Sequence, residues 1–269
     1  MNGNKARKLD FVVHNIQAFD SVVTYGGYQS NMLFALSYLC FVKQKKLTYY
    51  TKPIPLRIKQ NLVNEKSNLA FAMHCDVQIV EVPLLEWDEM VVRLHQESAS
   101  QSRVCFVPQG GRESWASEGL EKLAKEVQDY ACMRNTDKPL DVFVSSGTGT
   151  TAYFLQSFLP RLRVFTVPCV GDKAYLREQF AVLGNSAPSP VILTTKKKYH
   201  FGKCYDEFWK MHQQMVRLGV EFELLYDMKA LMAIGDNADK LHSDILYIHC
   251  GGTYGNNSMT QRYARRDNS

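Results

Sequence analysis

A chain of 269 residues, 45% of them hydrophobic and 12% aromatic, can bury one large core or two medium ones, which excludes intrinsic disorder. Its 32 basic and 27 acidic residues are interleaved, and a net charge of +5 without a long basic run argues against nucleic acid as the main partner while leaving room for a small anionic ligand. The opening MNGNKARKLD lacks the apolar stretch of a signal peptide, no run approaches the roughly 18 apolar residues of a membrane span, and seven cysteines without a CxxC pair read as free thiols, so a cytoplasmic protein with no membrane partner is expected.

In chain order the spacing of apolar residues predicts a strand at residues 21–25, a helix over 33–41, a strand at 47–51, a helix over 69–74, a strand at 77–82, a helix over 90–94 and a strand at 103–107. After a seam at 108–114, where Pro, two Gly and Ser follow a strand, come a helix over 120–130, a strand at 141–145, a helix over 152–159, strands at 163–167 and 190–193, a helix over 205–218 and a strand at 245–249. A second seam is expected near Phe19 and Asp20. Strands alternating with helices in this way define an α/β fold of parallel sheets covered by helices.

Three glycine-bearing turns close predicted strands. Ser145-Ser146-Gly147-Thr148-Gly149-Thr150-Thr151 joins a strand to a helix, and its hydroxyls and free helix-start N–H groups suit a phosphate. It has neither the lysine of a Walker loop nor GxGxxG spacing, and taken alone it favours a phosphate cradle over the other reading, an ordinary strand-to-helix turn. Gly26-Gly27-Tyr28-Gln29-Ser30-Asn31 offers donors to a carboxylate or phosphate, or simply caps the following helix. His249-Cys250-Gly251-Gly252 ends the last strand. Ligands gather at the carboxyl ends of strands in open α/β sheets, so these turns can share one site. The seven histidines contain no HxxxH or HExxH spacing, and no catalytic metal is expected.

The basic start Gly3-Asn4-Lys5-Ala6-Arg7-Lys8 by itself reads as a solvated tail rather than a reactive site. Together, however, GNKARK, GGYQSN, SGTGTTA and HCGG stand in an order and at a spacing that resembles the aminocyclopropanecarboxylate deaminase and D-cysteine desulfhydrase family over nearly the whole chain. The resemblance implies a tryptophan-synthase-β-like fold (fold type II) with pyridoxal 5′-phosphate (PLP) between two α/β domains. These would be a larger one of residues 1–18 and 114–269 and a smaller one of 19–113, in a homodimer. It implies Lys5 as the Schiff-base lysine, Lys8 near the cofactor, and Ser30 as the nucleophile for ring opening. Asn31 would contact the cofactor's phenolic oxygen, with Gln29, Ser30 and Asn31 on the substrate side. Thr148, Gly149, Thr150 and Thr151 would hold the phosphate, and Tyr226, with Tyr199 as a less secure second match, would stand near the cofactor.

The implied chemistry is deamination of aminocyclopropanecarboxylate or β-elimination from D-cysteine. The alternative is a catalytically impaired PLP-binding relative. That alternative is motivated by the start of the chain, because family members carry several dozen residues ahead of the lysine motif, so the N-terminal part of the larger domain is expected to be missing. Cys250 stands where related desulfhydrases carry a threonine facing the pyridine nitrogen, and Asp227 where deaminases carry a glutamate. A carboxylate would keep that nitrogen protonated better than a thiol, which favours Asp227 as its partner. Cys250 reads equally as a small buried residue.

Overall fold

The computed structural model describes residues 3–62, 66–184, 188–242 and 244–267. Two four-stranded sheets, parallel throughout, organise them. The first has the order β3-β2-β1-β4, from β1 (Ser21–Tyr25), β2 (Lys46–Thr51), β3 (Gln78–Glu81) and β4 (Val104–Val107). The second has the order β7-β6-β5-β8, from β5 (Leu140–Ser146), β6 (Arg163–Pro168), β7 (Val191–Ile192) and β8 (Asp244–Tyr247). All eight strands lie where the apolar runs place them.

The helices follow from the same patterning. In α7 (Ser117–Met133) Leu120, Ala124 and Val127 recur at helical spacing and are buried. They pack with Val142 and Val144 of β5 and with Ala152 and Leu155 of α8 (Thr150–Phe158). Phe143, between those two valines, points to the other face of the sheet and packs with Ala230 and Ala233 of α11 (Asp227–Asp236). Period-2 alternation in a fully buried strand thus feeds two helical layers, which is why LDVFVSS is apolar on both faces. Each fully buried leucine contributes about 1.5–3 kcal/mol. Register is also fixed electrostatically, because Arg163 donates to Asp141, its neighbour across β5 and β6, at 2.8 and 2.7 Å.

In the first sheet, α3 (Asn31–Val42) connects β1 to β2, α4 (Leu56–Asn61) and α5 (Asn68–His74) connect β2 to β3, and α6 (Trp87–Ser98) connects β3 to β4. The start of α3 is fixed by Ser30, whose hydroxyl accepts the Met32 N–H at 3.1 Å.

The basic N-terminal segment is not a solvated tail. It forms α1 (Gly3–Lys8) and α2 (Asp10–Asn15), with Asn4 and Lys8 buried. Leu9, Val12 and Ile16 pack into the core of the first sheet. On its other side the segment is tied to α7 by Arg7 to Glu126 and Lys122 to Asp10, each at 2.7 Å. The segment therefore packs into the core of the first sheet and is joined by surface ion pairs to a helix of the second. The remaining helices are α9 (Lys173–Leu183), α10 (Asp206–Arg217) and α12 (Asn256–Asp267). Among the described residues no helix is long and apolar enough to cross a membrane.

Candidate active site

The carboxyl ends of β1, β5 and β8 run into the three glycine-bearing turns, and these open on one cavity together with α1. Lys5 and Lys8 line it from α1, and Ser30 and Asn31 line it from the start of α3. Thr148, Gly149, Thr150 and Thr151 form the wall leading into α8, and Tyr226 and Cys250 complete it. Gly149 caps α8, whose first N–H groups have no partner within the helix and leave a positive dipole end at the cavity.

Lys5 is half-buried, and its Nζ donates to Asn4 Oδ1 at 3.0 Å. Asn4 in turn donates to Thr151 Oγ1 and Cys250 Sγ, each at 3.3 Å. One amide thus ties the amine, the threonine turn and the thiol together. Cys250 Sγ also lies 3.1 Å from Ser145 Oγ. Burial holds the Lys5 amine below the ordinary lysine range, an effect opposed by the neighbouring acidic groups Cys250, Glu223 and Asp227 to the extent that they ionise. Lys8 is pushed down further, by burial and then by the charge of Lys5, and its Nζ donates to the Gly110 carbonyl at 2.5 Å. Burial pushes the Cys250 thiol up to about 11, so it is a neutral S–H at physiological pH.

Three expected residues stand elsewhere. Asp227 is fully buried and does not line the cavity; it accepts from Tyr247 Oη at 2.7 Å and from the Glu223 N–H at 3.0 Å. Its carboxyl is raised by burial, an effect its hydrogen bonds oppose. Gln29 stays outside the cavity wall and gives its carbonyl oxygen to Asn68 Nδ2 at 2.9 Å. Tyr199 is buried in an aromatic cluster, with ring centroids 4.9 Å from Tyr205 and 4.6 Å from Phe208, because the segment after β7 turns toward α10.

The sequence reading does not single out Asn4, Glu223, Tyr175 or Asn68. Asn4 lies within the GNK motif itself and Tyr175 lines the cavity from α9. Glu223 is buried, and its Oε2 accepts the N–H groups of Leu225 at 2.8 Å and Tyr226 at 2.6 Å. Burial and the neighbouring Asp227 push its carboxyl up to about 8. Its one sequence signal is an acidic residue three positions ahead of the cavity tyrosine in an otherwise apolar stretch.

No protein-family model matches the chain. A Thermotoga maritima protein provisionally named as a 1-aminocyclopropane-1-carboxylate deaminase is 22% identical over 284 aligned positions, covering 97% of this chain and 87% of that protein. A crystal structure described as an ACC deaminase homologue superposes with a TM-score of 0.75 at 18% identity, over 98% of this chain and 84% of the other. A pyridoxal 5′-phosphate-dependent aspartate racemase superposes with a TM-score of 0.60 at 12% identity, over 94% and 81%. The chain has the α/β fold of the PLP-dependent enzymes of fold type II. Within that class, in sequence and in structure alike, it resembles the aminocyclopropanecarboxylate deaminase group.

Proposed function

We propose that this chain is a PLP-dependent enzyme acting on a small amino acid, by ring opening and deamination of aminocyclopropanecarboxylate or by β-elimination from D-cysteine. The observation that supports it most is convergence: Lys5 and the Thr148–Thr151 turn, far apart in sequence, line one cavity. The cavity's donor set fits the cofactor. Thr148, Thr150, Thr151 and the start of α8 suit its phosphate, the NH2 group of Asn31 suits its phenolic oxygen, and Lys5 supplies an amine for its aldehyde. For the ring-nitrogen side Cys250 is the better placed of the two candidates, because it lines the cavity and Asp227 does not.

When bound, PLP supplies the electron sink for a carbanion beside the substrate nitrogen. Desolvation keeps part of the Lys5 population unprotonated, which makes it a nucleophile and afterwards a base for the α-proton. Lys8, held to the Gly110 carbonyl on the same cavity wall, offers a further N–H donor to an anionic oxygen of the cofactor. Seven free cysteines accord with a reducing, cytoplasmic setting.

Ser30 separates the two reactions. Cyclopropane opening demands a nucleophile or a specially placed base at the ring, whereas elimination of a thiol needs only α-proton removal and a stabilised carbanion. Ser30→Ala is therefore expected to abolish most deaminase turnover and to leave measurable sulfide release from D-cysteine. Loss of the α3 cap lowers stability by about 1 kcal/mol, so both assays are run below the variant's melting range. Equal deaminase turnover by wild type and Ser30→Ala would remove Ser30 from the reaction. Turnover of neither substrate by a PLP-loaded wild type would remove both reactions.

A further inference from the structure

The loop from Gly26 to Asn31 carries two cavity residues, Ser30 and Asn31, and is held from outside the cavity at two points. At one end Tyr49 of β2, fully buried, donates from Oη to the Gly27 carbonyl at 2.9 Å. At the other end is Asn68, the first residue of α5, which is 1% exposed and does not line the cavity. Its Nδ2 donates to the Gln29 carbonyl at 2.9 Å and to Asn31 Oδ1 at 3.0 Å. The direction of the Asn68 side chain is set by its helix, which starts at Ser67, whose hydroxyl accepts the Ala70 N–H at 3.2 Å. From the opposite side the Asn31 amide rests on Gly252, which has φ +79: a Cβ there would collide first with Asn31 Nδ2 and lie 2.7 Å from Cγ, so only glycine leaves room for the NH2 group. Asn31 is thus held between an amide of the first sheet's helical layer and bare backbone of the HCGG turn.

An amide has one oxygen and one NH2 group, and the two ends ask for opposite partners. With Asn31 Oδ1 turned to Asn68, the end of the Asn31 amide left for an acceptor is its NH2 group. We propose that Asn68 is a positioning residue that fixes the orientation of the Asn31 amide, so that Asn31 acts as a hydrogen-bond donor toward the anionic phenolic oxygen of the cofactor. This rests on the PLP reading above and adds to it a residue that touches neither cofactor nor substrate. Asn68 Oδ1 is buried without a partner, so the amide is present for its donor and carries a cost that a leucine of similar size would not.

The test uses the full chain with PLP as the probe and reads PLP affinity, the visible absorption maximum of the bound form and the melting temperature of the PLP-free protein. Asn68→Leu is expected to weaken PLP binding about tenfold or more, because the Asn31 donor loses its fixed orientation, and to move the absorption maximum, while the PLP-free protein, which loses two hydrogen bonds but sheds one unsatisfied oxygen, still melts cooperatively. Asn68→Asp keeps the shape but replaces the donor by an acceptor, which draws the Asn31 NH2 group away from the cavity. It is expected to bind PLP more weakly than Asn68→Leu. Wild-type affinity and spectrum in Asn68→Leu overturn the proposal, as does stronger PLP binding by Asn68→Asp than by Asn68→Leu. If Asn68→Leu fails to fold, the Asp variant decides alone, with wild-type affinity and spectrum overturning the proposal. A wild-type chain that binds no PLP removes the parent reading and the role of Asn68 with it, an outcome separate from a normal wild type beside an unaffected variant.

Discussion

Replacing Thr148 and Thr151 together by alanine is expected to weaken PLP binding by a hundredfold or more while leaving the fold intact. Both threonines line the cavity at the start of α8, where a phosphate meets hydroxyl donors, free N–H groups and the positive end of the helix. A hydrogen bond to a charged group contributes about 1.5–3 kcal/mol, so two lost together correspond to a hundredfold or more in affinity. Thr151 has a second task, because its hydroxyl accepts from Asn4, the amide that also holds Lys5. The two losses are therefore expected to be more than additive, which a double-mutant cycle on PLP affinity measures. Unchanged affinity in the double variant, with an unchanged circular dichroism spectrum, places the phosphate elsewhere.

The second large effect is expected at Gly119, which lies outside the cavity. A Cβ on this α7 residue would collide with the Arg7 carbonyl oxygen and lie 2.6 Å from Asp10 Cβ. The obstacle is largely backbone, so rotamer changes alone cannot relieve it. Gly119→Val is expected to lift α1 from α7, carrying Lys5 and Lys8 out of register with the threonine turn. The cost is about 3 kcal/mol or more, a fall in melting temperature of roughly 6 °C or more, together with loss of PLP binding. Gly235 of α11 is the control, since a Cβ there meets nothing within 4 Å and Gly235→Ala is expected to be neutral or stabilising. A Gly119→Val protein that melts and binds PLP like wild type would show that α1 is not seated by this contact.

What was legible in the sequence and what was not divide along physical lines. Strands carry their signal locally, as β-branched and apolar runs bounded by turn residues, and all eight fall where those runs lie. The convergence of the three turns was legible because parallel strands deliver their carboxyl ends to one side. Among the helices not anticipated, α1 and α12 lack that local signal, whereas α9 and α11 carry short apolar runs at helical spacing that the sequence reading does not single out. In α1 the sequence GNKARK has no apolar face, and its helix exists because Asn4 and Lys8 find partners in distant turns. In α12 the mean hydropathy is low, and buried Met259 and Tyr263 anchor it to the aromatic cluster around Tyr205. Tyr199 matched a motif, yet a tyrosine's side chain goes where neighbouring rings receive it, and here they are Tyr205 and Phe208. Asn68, Glu223 and Gly119 act through partners 37, 3 and about 110 residues away, and only the second leaves any pattern in the chain.

Lys5, half-buried, and Lys8, buried, both line the cavity with depressed pKa values, so the central claim is a choice between them. Lys8 is engaged by the Gly110 carbonyl at 2.5 Å, whereas Lys5 donates to the side chain of its chain neighbour Asn4 at 3.0 Å. The decisive measurement is incubation of the purified chain with PLP, reduction with borohydride, digestion and mapping of the label by mass spectrometry. The account predicts a visible absorption band before reduction and a single pyridoxyl group on Lys5 after it. Label on Lys8 or any other lysine, or no band and no label at all, would contradict it.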